Sequence, residues 1–443
     1  MIQKIKSLFQ HNFVKDTAVL QAGNIFSTGL SFLSSIIFAR FLGPENYGTY
    51  GLIFGFVGLM GAFMNWGAAY ATLTLLSEAW ARKDKEEVRH VIIFFLKISL
   101  IMTVTAGLLA LIFSPFLAGR LYHNPLIGQL ARLVILANLL DLFFALLLIV
   151  LQTIRKIKSL TLVENLNKII YVFLTIGLVV LVKLGLRGIM WGYLLTAVVF
   201  FVFSVFFYRR LRWNYNLLPS WKEIVGDFSR VSVKKYFKFG FLIAVDNNIS
   251  NLFNTIPLTF LGMTAFSTDV GYFKIAFSYI GLALIFLKPI SRLLQVQLPQ
   301  SKIYGHETLK THFFKTTFYS AGLMTLIIIP MLILGKFLVT TFYGSAYLPS
   351  VKLIYLLSPY PIIAALGVGL SSLFRTLNKM KAIIIIDLIV LVIGAPFSYY
   401  LIRNWGLVGM SITTIIWTFL PIVICLIYFY KYFNYSFRKE QEK

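Results

Sequence analysis

Charge is scarce in this chain of 443 residues. Only 13% of them are Asp, Glu, Lys or Arg, and acids are the scarcer sign, 16 against 41 bases. With 58% hydrophobic residues, there is too little polar surface to keep a soluble fold of this size in water. Cysteine is nearly absent: the single Cys425 excludes a disulfide framework and a thiolate metal cluster. The five histidines form no metal-ligand spacing. There is no Gly-x-x-x-x-Gly-Lys-[Ser/Thr] phosphate loop, so ATP hydrolysis is not expected on this chain, and no cofactor motif stands in its place. No outer loop clusters the acids or bases that sugar chemistry needs, so the chain reads as a non-enzyme. A cleavage-like pattern of small residues is also missing after the first apolar run, which is too long for a signal-peptide core and is read as a membrane span.

What is present is a succession of apolar runs of about twenty residues, the length an α-helix needs to cross ~30 Å of hydrocarbon. Twelve spans are expected, near 17–39, 47–75, 91–116, 129–153, 161–182 and 189–208, then 239–261, 271–298, 312–335, 353–374, 382–402 and 407–430. With the N-terminus inside, the outer loops hold only seven Lys and Arg (Arg40, Arg120, Lys183, Arg187, Lys336, Lys352 and Arg403), and the inner side holds about four times as many. That asymmetry places both termini in the cytoplasm and a cell membrane around the chain. It also accounts for most of the net charge of +25, which removes the main support for a nucleic-acid partner. Residues 209–238 carry eight bases with Pro219 and Trp221 and read as an inner, interfacial linker on anionic membrane lipid.

The chain repeats itself. "QTIRKIK" at Gln152–Lys158 matches "RTLNKMK" at Arg375–Lys381, "GLRGI" at Gly185–Ile189 matches "GLVGM" at Gly406–Met410, Tyr122 matches Tyr343 and Gly48 matches Gly271. These pairs are collinear at a nearly constant spacing. Six spans per repeat is an even number, so both halves point the same way. The expected fold is therefore all-α and polytopic, with a six-helix lobe at 1–208, the basic linker at 209–238 and a second six-helix lobe at 239–443. The lobes should be related by a pseudo-two-fold axis along the membrane normal, with a substrate site between them.

Polar residues occur where lipid is expected. Asn24, Ser27, Thr28 and Ser31 share one face of span one. Asn247, Ser250, Asn251 and Asn254 occupy the equivalent positions of span seven, beside Asp246. Such stripes face protein or water, either as interhelical hydrogen bonds or as the wall of a wet cavity; three Asn with an Asp favour the cavity. A charge inside a span costs about 2.5–3.5 kcal/mol on insertion scales. Arg40 and Lys274, at similar outer depth, either present cations to one cavity or snorkel to headgroups. Lys97 has the same two readings on the inner side, and Arg132 reads as snorkelling. Asp141 follows Asn138 in mid-span and is a proton or cation site or a structural hydrogen bond; Asp246 is the other ion-coupling candidate.

The stretch "ARFLGPENYGTY" after span one carries the pattern R-x-L-G-x-x-x-Y-G-x-Y in Arg40, Leu42, Gly43, Tyr47, Gly48 and Tyr50. With a basic N-terminus and a first span rich in Asn and Ser, it resembles the polysaccharide transporter (Wzx-type O-antigen flippase) family. That family belongs to the superfamily of multidrug, oligosaccharidyl-lipid and polysaccharide exporters. The resemblance implies two lobes in a MATE-like V, alternating access, a cationic cavity and an oligosaccharide cargo on an undecaprenyl-pyrophosphate carrier. Polysaccharide polymerase and glycosyltransferases are implied partners. Arg40 and Lys274, supported by Lys97, would hold the pyrophosphate; Asn24, Thr28, Asn247, Asn251, Asn254, Tyr47 and Tyr50 would line the cavity for the glycan. Two alternatives stand beside this reading. A cation-coupled drug or metabolite exporter of the same superfamily would use Asp141 and Asp246, and a membrane-bound polymerase or glycosyltransferase would need acids and bases that the loops do not offer.

Overall fold

The structure, a computed structural model, describes residues 12–64, 68–232, 234–377 and 379–441; among these the regular elements are helical and no strand occurs. Lipid supplies no hydrogen-bond partners, so a spanning segment must bond its backbone within itself. The first helical stretch, Asn12–Met64, is interrupted at Gly43, whose φ of +70° is a conformation that side chains rarely adopt. It is therefore two helices, α1 (12–42) and α2 (44–64), with Pro44 opening the second. There follow α3 (Ala68–Ala81), α4 (Lys85–Tyr122), α5 (Pro125–Thr153), α6 (Ile157–Leu181, its last turn a π-helix) and α7 (Gly185–Asn214). A short α8 (Trp221–Asp227) precedes α9 (Lys234–Thr264) and α10 (Ser267–Gly281), which runs through a 3-10 turn into α11 (Leu287–Ile303). Next come α12 (His306–Phe342), α13 (Pro349–Leu357), α14 (Pro359–Leu366) and α15 (Leu370–Thr376). The last stretch, Met380–Gln441, is divided at Gly406 (φ +52°) into α16 (380–405) and α17 (407–441).

Nine stretches of the described residues are long and apolar enough to cross a membrane. Two of these contain the breaks at Gly43 and Gly406, and α9 adds a helix of 31 residues, so the helices are consistent with the twelve expected spans. Large apolar side chains such as Phe113, Phe116, Leu326 and Ile333 point outward, as a lipid-facing surface requires. Span ten differs from expectation. It is three short helices rather than one, because Pro359 cannot donate to the preceding turn and Gly367–Gly369 gives a weak helical stretch. The repeat is visible in the backbone: the matched glycines Gly185 and Gly406 both take a positive φ, +55° and +52°.

Packing divides the chain into two units, Met1–Leu42 with Ile53–Leu252, and Gly43–Leu52 with Phe253–Lys443. The short stretch 43–52 thus packs with the second unit, and the expected linker lies within the first. That linker is folded. Ser220 caps α8 by a reciprocal box with Glu223, and the Tyr208 hydroxyl donates to the Pro219 carbonyl at 3.0 Å. Asp227 pairs with Arg89 at 3.1 Å. The Ser220 backbone N–H, then its hydroxyl, and the nearby Lys85 and Arg212 charges hold the Glu223 carboxyl below its ordinary range.

The first unit has its core where α3, α4, α5 and α7 meet, around Ile92, Phe95, Leu147 and Phe200. Gly128 of α5 lies so close to α4 that a Cβ there would stand 2.1 Å from the Ser114 carbonyl oxygen. One turn later the Arg132 Nε donates to the Leu111 carbonyl at 2.7 Å and a terminal nitrogen to the Ile112 carbonyl at 3.3 Å. Pro115 has no N–H for the Leu111 carbonyl four residues back, so Arg132 serves an oxygen that the proline left open. Arg132 is exposed, and its guanidinium is engaged by these carbonyls. Replacing Arg132 with Leu should lower stability by about 2 kcal/mol, the scale of a charge-assisted hydrogen bond. Thermal unfolding in detergent should detect it, and adding Pro115→Ala should restore much of the loss, because the helix then satisfies its own carbonyl.

Candidate functional site

In the second unit the site begins at the break after α1. Gly43 turns the chain, Pro44 starts α2, and the next turn brings Gly48 against the start of α10. A Cβ on Gly48 would lie 1.6 Å from the Ser267 carbonyl oxygen, and one on Gly271 would lie 2.2 Å from the Pro44 carbonyl oxygen. The two repeat-matched glycines therefore sit at one crossing, where only backbone fits on either side.

One turn beyond that crossing the repeats diverge: the first has Gly51, the second Lys274. The Lys274 side chain runs over Gly51, where an added Cβ would come within 3.2 Å of the lysine Cδ. Its ammonium reaches 3.4 Å from the centroid of the Tyr50 ring and 5.0 Å from that of Tyr47. Tyr47 is buried and meets Tyr347 edge to face at 6.3 Å; Tyr272 and Tyr343 pack on the same Tyr347 ring. Among the described residues no carboxylate, hydroxyl or carbonyl pairs with the Lys274 ammonium. A desolvated cation–π contact is worth about 2 kcal/mol, less than the about 2.5–3.5 kcal/mol that a lysine costs in mid-membrane. The tyrosines offset the charge without satisfying its three donors. Elsewhere in this unit, on α11, one guanidinium nitrogen of Arg292 is buried without a hydrogen-bond partner.

The first unit holds a separate cavity of about 410 Å³ between α2, α3, α4, α5 and α7, with Asn251 of α9 on its wall. Its polar lining is Asp141, Asn138, Tyr193, Ser99, Thr103 and Asn251. The Tyr193 hydroxyl donates to Asn138 Oδ1 at 3.5 Å, and its ring packs edge to face on Phe54 and Tyr171. The Lys168 ammonium lies 5.0 Å from the Tyr171 ring centroid. Asp141 is half-buried, and among the described residues no base or donor pairs with its carboxyl.

The other expected residues distribute as follows. Arg40 is exposed on the last turn of α1, in the first unit. Lys97 is half-buried on α4. Its ammonium donates to the carbonyls of Ser229 (3.2 Å) and Val231 (3.0 Å) and lies over Phe228, so it holds the linker against α4. Asn24 and Thr28 are half-buried on α1, where the Thr28 hydroxyl donates to the Asn24 carbonyl at 2.7 Å and Ser31 does the same to Ser27 at 2.9 Å. These hydroxyls thus bond to their own helix, a common resort in apolar surroundings. Asn254 is exposed on α9. The side chains of Asp246 and Asn247 lie outside the described residues. Sequence reasoning did not place Tyr193, Ser99 and Thr103 with Asp141; the only signal was the three-residue spacing of Asn138 and Asp141 on one helical face.

These features define a multi-pass helical membrane protein with the fold of the MOP-superfamily transporters. Residues 13–294 match the family described as polysaccharide biosynthesis protein, and the chain belongs to that family. It is similar to stage V sporulation protein B of Bacillus subtilis (strain 168), at 28% identity over 120 residues. That match spans 27% of this chain and only 21% of the relative. Among solved structures it is similar to the lipid II flippase MurJ in an inward closed conformation (TM-score 0.73, 15% identity, 93% of this chain and 87% of that one). It is also similar to a multidrug resistance MATE family transporter of the MOP superfamily in an inward-facing conformation (TM-score 0.72, 16% identity, 92% and 94%). A third is a MOP superfamily transporter from Pyrococcus furiosus, described as having a binding pocket of reverse polarity (TM-score 0.63, 15% identity, 95% and 96%). At these identities the likeness is one of fold.

The contact between Lys274 and Tyr50 is open to a double-mutant cycle. Tyr50→Leu should destabilise the protein by about 1–2 kcal/mol when Lys274 is present and by much less in a Lys274→Met background. Thermal midpoints of the four proteins would show this as a coupling; purely additive losses would mean that the ring serves packing alone.

Proposed function

We propose that this protein is a flippase that carries an undecaprenyl-pyrophosphate-linked oligosaccharide from the inner to the outer leaflet of the cytoplasmic membrane by alternating access, with both termini in the cytoplasm. The observation that carries the reading is the Lys274 ammonium, which rests on the faces of Tyr50 and Tyr47 with no acid or acceptor paired to it among the described residues. A cation held this way can exchange ring faces for phosphate oxygens, which accept charge-assisted hydrogen bonds. Arg40, exposed on α1, is the other candidate cation for the pyrophosphate. Asn24, Thr28, Asn247, Asn251 and Asn254 supply hydrogen bonds to sugar hydroxyls, which lose them in hydrocarbon. Outward movement of a negative group runs with an inside-negative potential, worth about 2.3 kcal/mol per charge per 100 mV, so an energy source is available without a second ligand. Membership of the polysaccharide biosynthesis family and the shared fold with a lipid II flippase support the cargo class.

Depletion of the protein should strand lipid-linked repeat units on the inner leaflet. Lys274→Ala and Arg40→Ala should each cut outer-leaflet delivery by about tenfold at normal expression, the loss of about 1.4 kcal/mol of binding to the moving state. Undiminished delivery in the double variant would remove the anion site from the mechanism.

The cavity with Asp141 favours a second reading, coupling of transport to a proton or sodium ion, with Asp141 as carrier and Asp246 as the other candidate. The support is a carboxyl that lines a polar cavity without a paired base among the described residues. In proteoliposomes, Asp141→Asn should abolish stimulation by an imposed ion gradient while leaving potential-driven movement intact. Equal gradient response in wild type and variant would exclude Asp141 as carrier.

A further inference from the structure

At the linker end of the first unit, Lys85, Arg212, Trp213 and Asn216 line a recess of about 470 Å³. Lys85 opens α4, Arg212 and Trp213 close α7, and Asn216 follows α7, so the recess sits where two long helices leave the apolar zone. Its chemistry is two cations, an amide and an indole. Glu223 is the acid at hand, 3.8 Å from a terminal nitrogen of Arg212, but it is engaged by the Ser220 backbone N–H within the α8 cap. Arg209 lies 5.8 Å from the Trp213 ring centroid, which adds a third cation beside the recess.

A second observation comes from α7 itself. Val199, Val202, Phe206, Arg209 and Trp213 follow one another at helical intervals of three or four residues, so they form one ridge. All five are exposed, Phe206 at 66% and Trp213 at 70%. The ridge is apolar for its first two turns and ends in a cation and an indole, the residue type enriched at the membrane interface. An apolar track that leads into a basic recess has the shape and polarity of a phospholipid.

We propose that this surface binds an anionic phospholipid, with the headgroup phosphate between Lys85, Arg212 and Asn216, the indole of Trp213 at the glycerol level, and one acyl chain along Val199, Val202 and Phe206. The site is distinct from Lys274 and from the Asp141 cavity, and it ties the folded linker to the bilayer through its ligand. Basic recesses beside transmembrane helices are suited to such headgroups by charge, and each cation near an anionic surface adds about fivefold in affinity.

The test uses the purified full chain in neutral detergent, titrated with dihexanoyl phosphatidylglycerol, with phosphatidylcholine of the same chains, and with inorganic phosphate at matched ionic strength. The thermal midpoint is the readout. Phosphatidylglycerol should raise the wild-type midpoint, and the other two should not. The Lys85→Gln/Arg212→Gln variant should need at least about fivefold more phosphatidylglycerol for half the shift. Should that variant fail to fold, Lys85→Glu, at an exposed position, should show the same loss. Equal half-saturation in wild type and variants would overturn the site. An equal shift with inorganic phosphate would overturn the lipid assignment, since the apolar ridge would then contribute nothing.

Discussion

The constraint on which this structure depends is that hydrocarbon offers no hydrogen-bond partner and no counter-ion. Every place where a helix stops inside the bilayer, and every charge placed there, must be served by the protein itself. Three basic residues show three ways to meet that demand. Arg132 donates to the carbonyls that Pro115 disturbs. Lys97 donates to the carbonyls of Ser229 and Val231 and so fastens the linker. Lys274 has no such partner among the described residues, and lies on the rings of Tyr50 and Tyr47. The first two cations are spent on architecture. The third is stabilised by ring faces alone, and on the proposed reading its donors serve the ligand.

The same constraint explains why glycine governs the crossing beside Lys274. Where two helix starts approach backbone to backbone, a carbonyl of one occupies the space of a side chain on the other, as Ser267 does at Gly48 and Pro44 at Gly271. The two glycines are equivalent by the internal repeat, so one local solution is used twice. The repeat then breaks its own symmetry at the next position. Gly51 leaves the room that Lys274 fills, so a single charge, rather than a symmetric pair, enters this part of the second unit.

The sequence made the membrane class, the order of the spans and the repeat legible, because hydropathy and the placement of Lys and Arg are local properties that lipid enforces directly. It also marked Arg40–Tyr50 as a signature. It did not show that Lys274 would rest on Tyr50, since the two are more than two hundred residues apart and nothing in either neighbourhood names the other. For Lys97 and Arg132, depth in the bilayer suggested a cavity or headgroups; it did not reveal the backbone carbonyls to which both donate, which only packing brings into reach. In the serine and threonine stripe of α1, Thr28 and Ser31 donate within their own helix, so periodicity alone did not show that their hydroxyl oxygens are left chiefly as acceptors. The three-part span α13–α15 was read as one helix because its hydropathy is continuous; Pro359 and Gly367–Gly369 were the visible signs of the break.

A flippase must hold an anion tightly enough to select it and loosely enough to release it. A lysine paired with a carboxylate would bind poorly, since the ligand must displace a counter-ion already in place. A bare lysine in hydrocarbon would bind too well or lose its proton. A lysine on tyrosine faces lies between these limits: the rings lower the cost of the charge by an amount comparable to that of a single hydrogen bond to phosphate, so the exchange is near balance. On the proposed flippase reading Tyr47 and Tyr50 belong to the anion site although neither need touch the cargo, and the near-balance, rather than the charge alone, would suit this position to a transport cycle.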